Sequence, residues 1–224
     1  MDQITHYFQL VKERPELFAP SQHIPLCLDE ATLRAFSAST GKPVGVVYDN
    51  SPYYRVLADV CIKPDGQLYT YARVIYPHSD SNGVVVIPRR GERFGLLSIF
   101  RHPPRCESGG EFPRGYAEDL SPAENAAKEL WEEIGARVNP KELVYLGEIQ
   151  TDTGLSAGRV QVYLAQVQEA AVPEDNGEGI HGLHWLTQEE LMARVADGTI
   201  TDGLTLSAFL QYLSRTGDET NSTN

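Results

Sequence analysis

Three glutamates, Glu129, Glu132 and Glu133, fall within the short segment Lys128-Glu129-Leu130-Trp131-Glu132-Glu133-Ile134-Gly135. On an α-helix each residue advances by about 100°, so residues three and four apart share a face. Glu129 pairs in this way with both Glu132 and Glu133, and Asn125 lies on the same side. Carboxylates at such spacing repel by roughly 0.2–0.5 kcal/mol per pair. A hard divalent cation reverses the sign. Mg²⁺ and Mn²⁺ favour carboxylate oxygens, and Mg²⁺ commonly takes one or two carboxylates together with substrate phosphates. The same stripe also suits a solvated acidic face, and spacing alone leaves both readings open.

The elements around the stripe decide how rigidly it is held. Ser121-Pro122-Ala123-Glu124 is a helix start: a capping serine, a proline at the first helical position and a glutamate that closes a capping box. The helix is expected to run to Ile134 and stop at Gly135. Ala126, Ala127, Leu130, Trp131 and Ile134 fall on the opposite side and are expected to face a core. Strands are expected over 54–62, 68–75, 83–88, 95–100, 143–150 and 159–167, with a last short one over 182–186, because these stretches are rich in β-branched and aromatic residues. Helices are expected over 6–11, after Asp29, after the second capping box Thr187-Gln188-Glu189-Glu190, and over 204–214. Strands interleaved with helices give an α+β fold, an αβα sandwich with a mixed sheet.

Composition narrows the partners. The 224 residues carry a formal net charge of −12, which argues against nucleic acid or an anionic membrane surface as a partner. An anionic small molecule would need a local cation, either a metal or a few placed arginines. The apolar runs are too short to span a bilayer, and the first residues lack a signal-peptide pattern. Three widely spaced cysteines, Cys27, Cys61 and Cys106, form no metal or disulfide framework. A reduced, cytoplasmic protein is expected. Residues 1–45 are expected to be a helical or irregular N-terminal extension, 46–215 the main domain, and 216–224 a disordered tail.

The segment from Glu111-Phe112-Pro113-Arg114-Gly115 to Gly135 resembles the Nudix box, the family pattern G-x5-E-x7-R-E-U-x-E-E-x-G-U, with U apolar. Glu129, Leu130, Glu132, Glu133 and Gly135 match it in place. Three features depart. Lys128 stands where the family has arginine, Gly115 lies one residue closer to it, and Leu120 or Ser121 falls where the family has a loop glutamate, with Glu118 a possible substitute. Further stretches, Val84 to Ile87, Phe94 to Arg101 and Gly198-Thr199-Ile200-Thr201-Asp202-Gly203, resemble the ADP-ribose and nucleotide-sugar pyrophosphatases of that family. The likeness covers roughly residues 45 to 213.

That resemblance implies a Nudix-type fold and hydrolysis of a pyrophosphate bridge in a nucleoside diphosphate-linked small molecule. It implies Mg²⁺ or Mn²⁺ on Glu129, Glu132 and Glu133, and a homodimer. Glu178, in Gly177-Glu178-Gly179-Ile180, sits where related enzymes carry a catalytic base, with Glu174 and Asp175 as rivals. Glu132 and Glu133 are placed with it in the catalytic group. Arg101 and Arg114 are implied as substrate-phosphate ligands, with Arg159 a weaker candidate and Glu111 at the same site as ligand or brace. Tyr69, Tyr71, Tyr76 and Phe112 suit either base stacking or a core. His102, His181 and His184 form no zinc pattern. The competing reading is a Nudix-fold module that binds a nucleotide with little turnover, which the short loop and Lys128 would favour.

Overall fold

The computed structural model describes residues 1–77, 83–173 and 178–220, with side chains described as far as residue 215. The chain divides into two compact units: Met1–Ser79 with Asp152–Gly158, and Asp80–Thr151 with Arg159–Asn224. The division expected at residue 45 falls inside the first unit.

In the first unit Asp2 starts helix α1 (Gln3–Glu13) by accepting the Ile4 and Thr5 N–H groups, and Asp29 starts α2 (Glu30–Thr40) by accepting that of Thr32. Such caps satisfy donors that the first helical turn leaves without partners. An antiparallel sheet follows, in the order β1 (Gly45–Asn50), β2 (Tyr54–Ile62), β3 (Leu68–Ile75). Strand β1 spans the boundary expected at residue 45 and is not among the strands that the sequence pattern predicts. Tyr7, Leu10, Leu33, Leu57 and Val60 fill the core of this unit. Asp59 is buried there too, and Tyr7 and Arg73 donate hydrogen bonds to its carboxylate. Segment 152–158 joins the unit because the Val74 N–H donates to the Leu155 carbonyl at 2.7 Å.

The second unit is built on β4 (Gly83–Arg90), β5 (Arg93–Arg101), β6 (Cys106–Glu107), β7 (Arg114–Tyr116), helix α3 (Pro122–Ile134), β8 (Val144–Gln150), β9 (Arg159–Gln166), β10 (Ile180–Leu186), and helices α4 (Gln188–Ala196) and α5 (Gly203–Thr220). The sheet runs β10-β5-β4-β9-β8, with β7 on β4 and β6 on β5. It is mixed, because β4 and β9 are parallel while the other pairs are antiparallel. Successive strand residues point to opposite faces. Val84 and Val86 therefore pack on Ala126, Leu130 and Ile134 of α3. Val85 and Ile87 join Leu191 of α4 and Phe209 and Tyr212 of α5 on the other side. A strand covered on both faces must be apolar throughout, which is why the run Val84 to Ile87 contains no polar residue. The result is the expected α+β, αβα sandwich with a mixed sheet.

Two of the boundaries that differ from expectation concern the last strand and the last helix. Strand β10 starts at Ile180 rather than near Gly182, because a register irregularity lets Ile180 pair with Ile99 before the regular ladder begins. Helix α5 continues to Thr220, into the segment expected as tail, while residues 221–224 lie outside the described residues. Among the described residues no helix is long and apolar enough to cross a membrane.

Candidate active site

Helix α3 is fixed at both ends before any tertiary contact is counted. Ser121 accepts the Glu124 N–H, the Glu124 carboxylate accepts the Ser121 N–H, and Gly135 closes the helix in the left-handed conformation. Ala126, Leu130 and Ile134 are fully buried against the sheet. Trp131, expected in the core with them, is instead 47% exposed. Its position on the helix faces away from the stripe that packs on β4, and the smaller side chains fill that space.

Glu129 and Glu133 are the buried members of the carboxylate group, 6% and 2% exposed. The Arg114 N–H, from β7, donates to Glu133 Oε2 at 2.9 Å. Gly115 beside it leaves room for Glu129: a Cβ at Gly115 would stand 2.0 Å from the Glu129 carboxyl carbon. Burial pushes the Glu129 carboxyl up to about 7, against the field of Lys128 and with the help of the Glu132, Glu178 and Glu118 charges. Burial pushes Glu133 up to about 8; the Arg114 N–H opposes the shift, and Glu129 and Glu178 add to it. Removing water disfavours the charged form, and neighbouring like charges do the same.

Glu132 stands apart from this pair. It is exposed at the cleft rim, where Lys128 Nζ lies 2.5 Å from its carboxylate and 3.0 Å from that of Glu118. Lys128 thereby ties α3 to the loop before it. A point charge without the planar fork of arginine still bridges two carboxylates.

The two implied phosphate arginines share one partner. Arg101 Nε and Nη2 donate to Glu111 Oε2 at 2.9 and 2.6 Å, and Arg114 Nη2 lies 2.7 Å from the same oxygen. Glu111 itself is buried. Arg114 Nη1 also donates to Asp202 at 2.9 Å, and Asp202 accepts the Thr205 N–H and hydroxyl at the start of α5. Sequence reasoning gave Asp202 no role, although an Asp three residues before a Thr at a helix start is a capping signal. Arg159 pairs with Glu148 on β8.

Glu178, the expected base, lies in the segment before β10. Its charge acts on both Glu129 and Glu133, and it lines one cleft of about 610 Å³ with Lys128, Trp131, Glu132, Glu133 and Pro173. Its rivals Glu174 and Asp175 lie outside the described residues. Phe112 is core, fully buried, with its N–H donating to Thr205. His181 lies 3.4 Å from Glu107, and His184 Nε2 2.9 Å from the Ser98 hydroxyl, and neither of these contacts involves Glu129, Glu132 or Glu133.

Among the described residues no group of three or more His, Cys, Asp or Glu side chains is gathered tightly enough to hold a metal ion. The carboxylates present are nevertheless of the donor type that hard divalent cations favour. Such an ion takes one or two carboxylates and fills its shell with water and phosphate, and Glu133 and Glu178 both line the open cleft. The arrangement sets carboxylates beside an open cleft.

A family model described as the NUDIX domain matches residues 77–204. A crystal structure of an ADP compounds hydrolase superposes with a TM-score of 0.64, over 78% of this chain and 94% of that one, at 18% sequence identity. A search of curated proteins gives no match.

Proposed function

Because this chain belongs to the Nudix family of pyrophosphohydrolases, we propose that it hydrolyses the pyrophosphate bond of a nucleoside diphosphate derivative, ADP-ribose or a nucleotide sugar, in a reaction that depends on Mg²⁺ or Mn²⁺. The products are a nucleoside monophosphate and a sugar phosphate. The observation that carries the reading is the pair of buried glutamates, Glu129 and Glu133, on one face of α3 with Glu178 across the cleft. The similar fold of a protein that hydrolyses ADP compounds supports the substrate class.

Glu129 and Glu133 would hold the divalent ion. When bound, such an ion polarises phosphoryl oxygens and lowers the pKa of water. Glu178 accepts the proton of the attacking water as its oxygen bonds to phosphorus. The bridging oxygen then leaves with the electron pair of the broken P–O bond. Arg101 and Arg114 are the phosphate ligands of this reading. Glu111 holds both guanidinium groups in place, and their remaining donors suit phosphate oxygens. Glu132, paired with Lys128, shapes the cleft wall and supplies a further carboxylate at its rim. The proposal includes a homodimer, and a reduced cytosolic setting consistent with three free cysteines.

The test is a hydrolysis screen of ADP-ribose and several nucleotide sugars with Mg²⁺ and Mn²⁺. The expected result is metal-dependent release of a nucleoside monophosphate, lost with EDTA and in Glu133→Gln, with the variant still folded by circular dichroism. Near-normal turnover in Glu133→Gln would overturn the metal-site assignment. Binding without turnover would favour the nucleotide-binding module. Light scattering that gives a monomer mass would refute the dimer.

A further inference from the structure

Trp131 is the large apolar side chain of α3 that the core does not use. It lines the same cleft as Glu132, Glu133 and Glu178. The Arg137 guanidinium lies 4.3 Å from the centre of its indole ring. Arg137 is exposed, and among the described residues no carboxylate stands within ion-pair distance of it. Lys128, which lines this cleft, is already compensated by Glu118 and Glu132.

We infer that Trp131 and Arg137 form the platform that holds the nucleobase of the substrate at the mouth of the carboxylate cleft; this rests on the pyrophosphatase reading above. The cleft, about 610 Å³, is within the usual range for small-ligand sites. Its carboxylates repel an anion, so recognition away from the metal must come from a surface that is flat, apolar or cationic. An exposed indole provides the flat surface, and base–aromatic stacking tolerates any base because each has a π-face. The guanidinium already stacked there strengthens the contact by cation–π attraction and can donate to acceptor atoms of the base. Substrate choice on this platform is set by the nucleoside half of the molecule, while Glu129, Glu133 and Glu178 act on the bridge.

The experiment compares wild type, Trp131→Ala, Trp131→Phe and Arg137→Ala by steady-state kinetics on ADP-ribose. It adds tryptophan-fluorescence titrations with two probes, AMP and ribose 5-phosphate. Trp131→Ala is expected to raise KM about five- to a hundredfold with kcat within about threefold, the range that one lost base stack implies. Trp131→Phe, which keeps a ring, should recover most of the loss, and Arg137→Ala should fall between. AMP should quench wild type but not Trp131→Phe, and ribose 5-phosphate should quench neither. An unchanged KM in Trp131→Ala with turnover intact overturns the platform. Equal quenching by ribose 5-phosphate also overturns it and assigns the surface to the sugar. A wild type without turnover refutes the pyrophosphatase reading instead, and the AMP titration still decides the platform.

Discussion

A single methyl group placed at Gly115 should disable the site while leaving the fold standing. The added Cβ would lie 2.0 Å from both the carboxyl carbon and Oε1 of Glu129, whereas ordinary contact begins at 3.4 Å. Gly115 is pinned by its pairing with Val84, and Glu129 sits on a helix packed on β4, so neither backbone yields easily. The carboxylate is the part that moves, by more than an ångström. A misplacement of about 1 Å near a reacting centre costs on the order of a hundredfold in rate. Gly115→Ala is therefore expected to lower kcat/KM on ADP-ribose by about a hundredfold and to raise the Mg²⁺ concentration needed for half-maximal rate. Stability should change little, because Gly115 does not occupy the left-handed region. Shortening the partner should relieve the clash, so Gly115→Ala with Glu129→Asp should lose less than the product of the two single losses. Metal titrations of all three variants, with thermal melts alongside, test this. Gly115→Ala within threefold of wild type, with its melting temperature unchanged, would refute the claim that Glu129 acts from its observed position.

Glu111→Gln removes the carboxylate that Arg101 and Arg114 share, and is expected to cost about 3 kcal/mol in urea unfolding, the lower end for a broken buried pair because both arginines keep some solvent contact. No loss of stability would mean the three groups are not coupled. Leu130→Ala, at a fully buried position between α3 and β4, is expected to cost about 2–5 kcal/mol by the same measurement. Acid stability should depend on Asp202. Burial alone would raise its carboxyl, but the Arg114 charge and the Thr205 hydrogen bonds hold it below the ordinary value of 3.8. A depressed folded-state pKa contributes stability that is present above 3.8 and is lost as pH falls through the folded value. Asp202→Asn should therefore flatten the stability profile below about pH 4, and an unchanged acid limb would contradict this.

Local patterns were legible where local physics decides. The two capping boxes, the left-handed stop at Gly135 and the three-and-four spacing of Glu129, Glu132 and Glu133 depend only on neighbours along the chain. The strands over 54–62 and 68–75 follow from their β-branched content. The short pairings β6 and β7 carry no such signal, because two or three residues are too few to show a period.

Neighbours along the chain suffice for the glutamate helix, its caps and the Ala126, Leu130 and Ile134 stripe behind it. Only the tertiary structure decided which glutamates are buried, since Glu132 and Glu133 are adjacent in sequence yet one faces Lys128 at the rim and the other the backbone of β7. Only it brought Glu178 to act on Glu129 and Glu133, joined Arg101 and Arg114 on one Glu111 oxygen, and left Trp131 outside the core. Helical spacing fixes the direction of a side chain about its own axis. Burial, charge coupling and exposure depend on what other elements place opposite it.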